Sequence, residues 1–299
     1  MIVLVNGLVG DGSGKTILAS SLVSVLRREG FDVVGFKPVG GTDIWLRPWV
    51  ISESRRRRVI VTGDGVLLER ASANVESSEV INPIALLIGY IDPAKFDWRS
   101  SVLDRYITSI SDRSLAGRIT VCEGSNAYTT HFINTASLHN SPARIQSAIL
   151  DMAATLEPKP LSVEKGFVEE LLEGKLVNAP DSCLNLLSRK HEIVIVESNS
   201  DIAAPTPETS KPDLVVSVAP GVASILPGDR FEKAIEVLSL KGRPWSVSVK
   251  EVLNLTGTVK TVYLPLLEDP IEGYTYNDLE EIISYIKNSE QRLLKINRL

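Results

Sequence analysis

Seven residues near the amino end, Gly10-Asp11-Gly12-Ser13-Gly14-Lys15-Thr16, have the types and spacing needed to hold a polyphosphate. Backbone N–H groups converge on one anion only where the chain takes up conformations that glycine tolerates best. A helix starting at the end of such a loop adds partial positive charge. Lys15 is then placed to reach the β- and γ-phosphates of a nucleotide, and the Thr16 hydroxyl to bind Mg²⁺. The commonest spacing of this pattern has glycine at position 9; here that residue is Val9, flanked by Gly7 and Gly10.

Other groups stand where apolar runs end. Lys37 follows the run 33–36, Glu123 ends 118–122 and Glu197 ends 192–196. A carboxylate at the end of a buried strand requires a partner or solvent, so Glu123 and Glu197 compete for the role of sheet-end acid. Asp64, between Gly63 and Gly65, is either a ligand or a turn residue. Mg²⁺ takes oxygen ligands and keeps several waters. The Thr16 hydroxyl and the strand-end carboxylates are oxygens of that kind.

The elements that must position these groups alternate. Residues 2–5, 33–36, 118–122, 192–196, 214–218 and 259–264 read as buried strands. Residues 17–28, with Leu18, Leu22 and Leu26 every four positions, read as a helix, as do 141–156, 162–173, 230–238 and 277–287. Such alternation predicts an α/β fold: one doubly wound, mostly parallel sheet flanked by helices. A single domain over 1–299 is expected, with 126–190 as a helical insertion or cap. Hydrophobic residues at 43% and charged residues at 23% support a packed core. A net charge of −5 argues against a nucleic-acid binder. No apolar run approaches the ~20 residues of a membrane span, and a soluble cytoplasmic protein is expected. Cys122 and Cys183 lie far apart, so neither a disulfide framework nor a zinc site is expected; Cys122 reads as a small buried hydrophobe.

Taken together in order, these segments resemble dethiobiotin synthetase and its P-loop relatives, the cobyrinic acid diamide synthases and MinD-like ATPases. Gly35-Phe36-Lys37-Pro38-Val39 is similar to the family's second-strand motif. The Asp64 stretch Gly63-Asp64-Gly65-Val66-Leu67-Leu68 resembles its aspartate-plus-leucines segment, and Val121-Cys122-Glu123-Gly124 its strand-end Glu-Gly. Leu264-Pro265-Leu266-Leu267 is similar to the segment beside the adenine. The resemblance implies a P-loop NTPase fold with ATP and Mg²⁺ as cofactors. It implies Lys15 and Lys37 as catalytic groups, metal ligation by Asp64 and Glu123, and nucleotide contacts from Gly10 to Thr16 and from Pro265 and Leu266. The implied reaction is that of an ATP-dependent ligase: a substrate carboxylate or carbamate attacks the γ-phosphate and an amine captures the mixed anhydride. A homodimer is implied too. A small-molecule kinase and a regulatory or assembly NTPase acting on a protein partner share the phosphate machinery and stand as alternatives. After Glu123-Gly124 the family's glycine-rich run is replaced by Ser125-Asn126-Ala127-Tyr128.

Overall fold

The computed structural model describes residues 1–10, 12–174, 176–269 and 272–296. The chain divides into two compact units, one comprising Met1–Pro38, Leu67–Ser77 and Asp181–Leu299, the other Val39–Val66 and Ser78–Pro180. In chain order the strands are β1 (Ile2–Gly7), β2 (Val33–Phe36), β3 (Val39–Asp43), β4 (Ile84–Ile88), β5 (Ser114–Glu123), β6 (Asn126–Asn134), β7 (Leu161–Val163), β8 (Ile193–Glu197), β9 (Leu214–Ala219), β10 (Val222–Pro227) and β11 (Lys260–Tyr263).

The first unit is built on a six-stranded sheet in the order β11-β10-β9-β1-β8-β2. β9, β1, β8 and β2 run parallel. β10 and β11 are added antiparallel, beginning with a hairpin around Pro220-Gly221. Val3 to Val5 and Ile193 to Val196 are fully buried, as continuous apolar runs in central parallel strands should be. Helix α1 (Lys15–Arg28) buries Leu18, Leu22 and Leu26 and packs against β1, β2 and β8. The four-residue spacing places these leucines on one face, and each contributes about 1.5–3 kcal/mol on burial. The connection from β1 to β2 crosses β8, and that from β8 to β9 crosses β1 in the opposite direction. A crevice at the carboxyl ends of β1 and β8 follows from that reversal, the usual ligand position in open α/β sheets.

The second unit carries a five-stranded mixed sheet, β3-β4-β5-β6-β7. In β4, Ala85 and Leu87 pack with Ile149, Met152 and Leu156. Their neighbours Ile84 and Leu86 pack with Phe132, Val168 and Leu171. Successive side chains of a strand point to opposite faces, so burial on both faces removes the polar alternation that would mark a half-exposed strand.

The α/β class is as expected, but the single, mostly parallel sheet is corrected to two mixed sheets. The strand expected at 118–122 is real, yet it belongs to the second sheet as part of β5. Residues 126–190 do not form a helical insertion. They contain β6 and β7 besides helices; residues 126–180 belong to the unit that starts at Val39, and 181–190 to the first unit. Cys122 is buried as expected, but both cysteines are disulfide-bonded, which corrects the expectation that they take no part in a disulfide. Among the described residues, no helix is long and apolar enough to cross a membrane.

Candidate functional site

The site is assembled in the first unit, where β1 gives way to α1. Gly14 is the N-cap of α1 in the left-handed region, with φ 88° and ψ 8°, a conformation costly for any residue with a Cβ. No side chain caps this helix, so its first N–H groups depend on another acceptor. Lys15, only 8% exposed, folds along the loop. Its Nζ donates to the Gly10 carbonyl at 3.0 Å and to Ser13 Oγ at 2.9 Å. The close approach is made possible by Gly7. A Cβ there would lie 2.5 Å from Ser13 Oγ and 2.7 Å from Lys15 Nζ. Asp11 lies outside the described residues.

Three strand ends meet beside this loop. In the parallel register Glu197 of β8 stands opposite Val5 of β1, and Val196 stands opposite Phe36 of β2. Lys37, the next residue, therefore faces Glu197. The Glu197 Oε1 atom accepts from the Thr16 hydroxyl at 2.7 Å and from Lys37 Nζ at 2.6 Å. Lys37 also donates to the Ser198 carbonyl at 3.2 Å. Glu197 is 1% and Lys37 3% exposed. A buried charge is tolerated only with a partner, and each of these two is the other's. Two lysines, a hydroxyl and a carboxylate thus line one crevice.

The segment after β8 closes over the end of β1. Ser198 N donates to the Val5 carbonyl at 2.9 Å. Asn6, buried at the end of β1, donates through Nδ2 to the Ala203 carbonyl at 3.0 Å and accepts from Ser217 Oγ at 2.6 Å. A Cβ on Gly10 would stand 3.2 Å from Ser200 Oγ, which puts Ser200 against the glycine-rich loop. No motif marks Asn6, Ser198 or Ser200 in the sequence. The available signal was a polar Asn6 ending an apolar strand, since a buried amide there demands partners. Farther along the same edge, Pro265 and Leu266 follow β11, whose neighbour Leu264 N donates to Gly221 O in the β9–β10 turn. Both are exposed, Leu266 at 97%. They emerge three strands from β1, about 14 Å at the usual strand spacing.

Asp64 and Glu123 belong to the second unit. Asp64 lies in the first turn of the helix Gly63–Ala71, and its Oδ1 accepts from Arg47 Nη1 at 2.9 Å. An acid in the first turn suits the helix dipole. Glu123 pairs with Asn126 across the β5–β6 hairpin, so Gly124-Ser125 is a two-residue turn and Glu123 sits exposed at its base. Of the two acids, Glu197 shares the first unit with Thr16 and accepts its hydroxyl.

The donors suit magnesium, an oxygen-seeking cation that is commonly held by one or two protein oxygens together with phosphate and water. Among the described residues, no group of three or more His, Cys, Asp or Glu is arranged to hold a metal ion, so a cation here would depend on the hydroxyl, one carboxylate and the nucleotide. Comparison with family models, curated proteins and solved structures finds no match to this chain.

Proposed function

We propose that this chain is a P-loop nucleotide-dependent enzyme that binds Mg-ATP at the carboxyl edge of the six-stranded sheet. The observation that carries this reading is the convergence of the Thr16 hydroxyl and the Lys37 ammonium on Glu197 Oε1, beside a glycine-capped loop holding Lys15. Phosphoryl transfer requires positioning and charge neutralisation more than covalent chemistry. Here the loop amides and Lys15 would receive the phosphates, Thr16 and Glu197 would hold the cation, and Lys37 would face the transferred group. A bound magnesium would supply neutralisation of the nucleotide's negative charge. Exposed Leu266 and Pro265 offer an apolar surface for the base.

The resemblance to dethiobiotin synthetase extends the reading to a ligase. A substrate carboxylate or carbamate oxygen attacks the γ-phosphorus, ADP departs, and an amine then displaces phosphate from the mixed anhydride. The experiment is product analysis with γ-labelled ATP and mixtures of carboxylate and amine metabolites. ADP, free phosphate and a new amide or urea bond support the ligase. A phosphorylated metabolite points to a kinase, and hydrolysis stimulated only by a protein points to a regulatory NTPase.

A further inference from the structure

One oxygen in the crevice already serves two donors. Glu197 Oε1 already accepts from Thr16 at 2.7 Å and from Lys37 at 2.6 Å. The Thr16 hydroxyl and this carboxylate are also the pair that the proposed function assigns to magnesium. A dication on those two oxygens would stand in the immediate neighbourhood of the Lys37 ammonium, and like charges that close in a buried setting repel strongly. With Lys37 at 3% and Glu197 at 1% exposure, no bulk water is at hand to screen them.

Lys37 has somewhere to go. Its ammonium has three rotatable donors on a flexible stem, and one already reaches the Ser198 carbonyl at 3.2 Å. It can therefore pivot about Ser198 O while leaving Glu197. Lys15 lies on the loop whose Thr16 shares Glu197 Oε1 with Lys37, so in the nucleotide reading the phosphates collect beside the pivoting ammonium. An ammonium released there meets the negative charge of the transferred phosphoryl group.

Resting on the nucleotide reading, we infer that Glu197 is shared between Lys37 and the nucleotide's magnesium, so that metal binding and release of Lys37 toward the phosphates are one coupled event. The lysine is held by the carboxylate until the cation takes that carboxylate, and nucleotide without metal does not arm it. Coupling of two ligands through one group is reciprocal: a lysine that competes with the metal weakens it by the same factor by which the metal loosens the lysine.

The test is calorimetric titration of ATP, with Mg²⁺ and with EDTA, into the full chain and into Lys37→Gln, Glu197→Gln and the double variant. The quantity read is the gain in affinity that Mg²⁺ confers. The sharing account expects Lys37→Gln to raise this gain about 10-fold, inside the usual range for coupled sites. In the Glu197→Gln background the same substitution should change it by less than about 3-fold. An unchanged gain in Lys37→Gln overturns the inference, as does an equal rise in both backgrounds, which would mean general repulsion without a shared oxygen. Absence of ATP binding by the unaltered chain under both conditions refutes the nucleotide reading itself. A second measurement needs no variant: Lys37 acylation followed by mass spectrometry, with ADP plus Mg²⁺ against ADP plus EDTA. Faster labelling with Mg²⁺ supports release of Lys37, and equal or slower labelling contradicts it.

Discussion

Gly7→Ala isolates the geometry of the phosphate loop from the chemistry of its side chains. The added methyl would stand 2.5 Å from Ser13 Oγ, 2.7 Å from Lys15 Nζ and 2.9 Å from Lys15 Cδ. Ordinary contact begins at 3.4 Å, so the ammonium must retreat by about 0.7 Å or more. That movement breaks its bonds to Gly10 O and Ser13 Oγ, which are 3.0 and 2.9 Å long. Loss of a hydrogen bond from a charged group costs about 1.5–3 kcal/mol, so Mg-ATP affinity should fall by about 10- to 10²-fold. Stability should hardly follow. Gly7 lies outside the left-handed region, so alanine fits the backbone and gains about 0.4–1 kcal/mol by restricting the unfolded chain. The crowding costs about 1–3 kcal/mol, relieved in part because the clash is with a flexible side chain. Calorimetric titration and thermal unfolding of the same samples separate the two effects. Binding within about 3-fold of the unaltered protein, in a folded sample, would refute the claim that Lys15 is held where the phosphates bind.

Three further outcomes are expected. Glu197→Gln should abolish most of the affinity gain from Mg²⁺, whereas Glu123→Gln, at the hairpin base, should leave it unchanged; the reverse pattern would restore Glu123 as the metal acid. Burial pushes Asp181 up to about 6, against bonds from Thr206 and the Glu208 N–H. The folded protein then holds a proton that the unfolded chain has lost, so this group's contribution to stability falls as pH rises from about 4 to 6. Discounted for partial exposure, the loss is on the order of 1–2 kcal/mol. Asp181→Asn should flatten that stretch of a denaturant-midpoint profile, and parallel profiles would contradict the assignment. Leu22→Ala, on the fully buried face of α1, should cost about 2–5 kcal/mol in urea unfolding, while a loss below about 1 kcal/mol would place the helix outside the core.

The parts of the fold legible in the sequence are those governed by local rules. α1 could be read from Leu18, Leu22 and Leu26, and β1, β2, β8 and β9 from their unbroken apolar runs, because each signal lies within one element. Pairing partners are a long-range property. The run 114–123 looks like any buried strand, and nothing local assigns β5 to the second sheet. Glu123-Gly124 and Glu197-Ser198 both read as an acid ending a strand. In one, the glycine opens a two-residue turn back to Asn126; in the other, the chain continues across β1 through Ser198. The Asp64 stretch reads equally as a ligand position or a turn, and the structure places it in the first turn of a helix with Asp64 bonded to Arg47. β10, beyond the Pro220-Gly221 turn signal between two apolar runs, is a strand that no expectation covers.

The central claim is that the loop before α1 wraps a polyphosphate with Lys15 at its centre. Its most direct test is calorimetric titration of the full chain with millimolar Mg-ATP, run beside Lys15→Ala. Saturable heat with one nucleotide per chain, weakened about 10²-fold or more in the variant, is the predicted result. No heat from the unaltered protein, or equal affinity in Lys15→Ala, would contradict it.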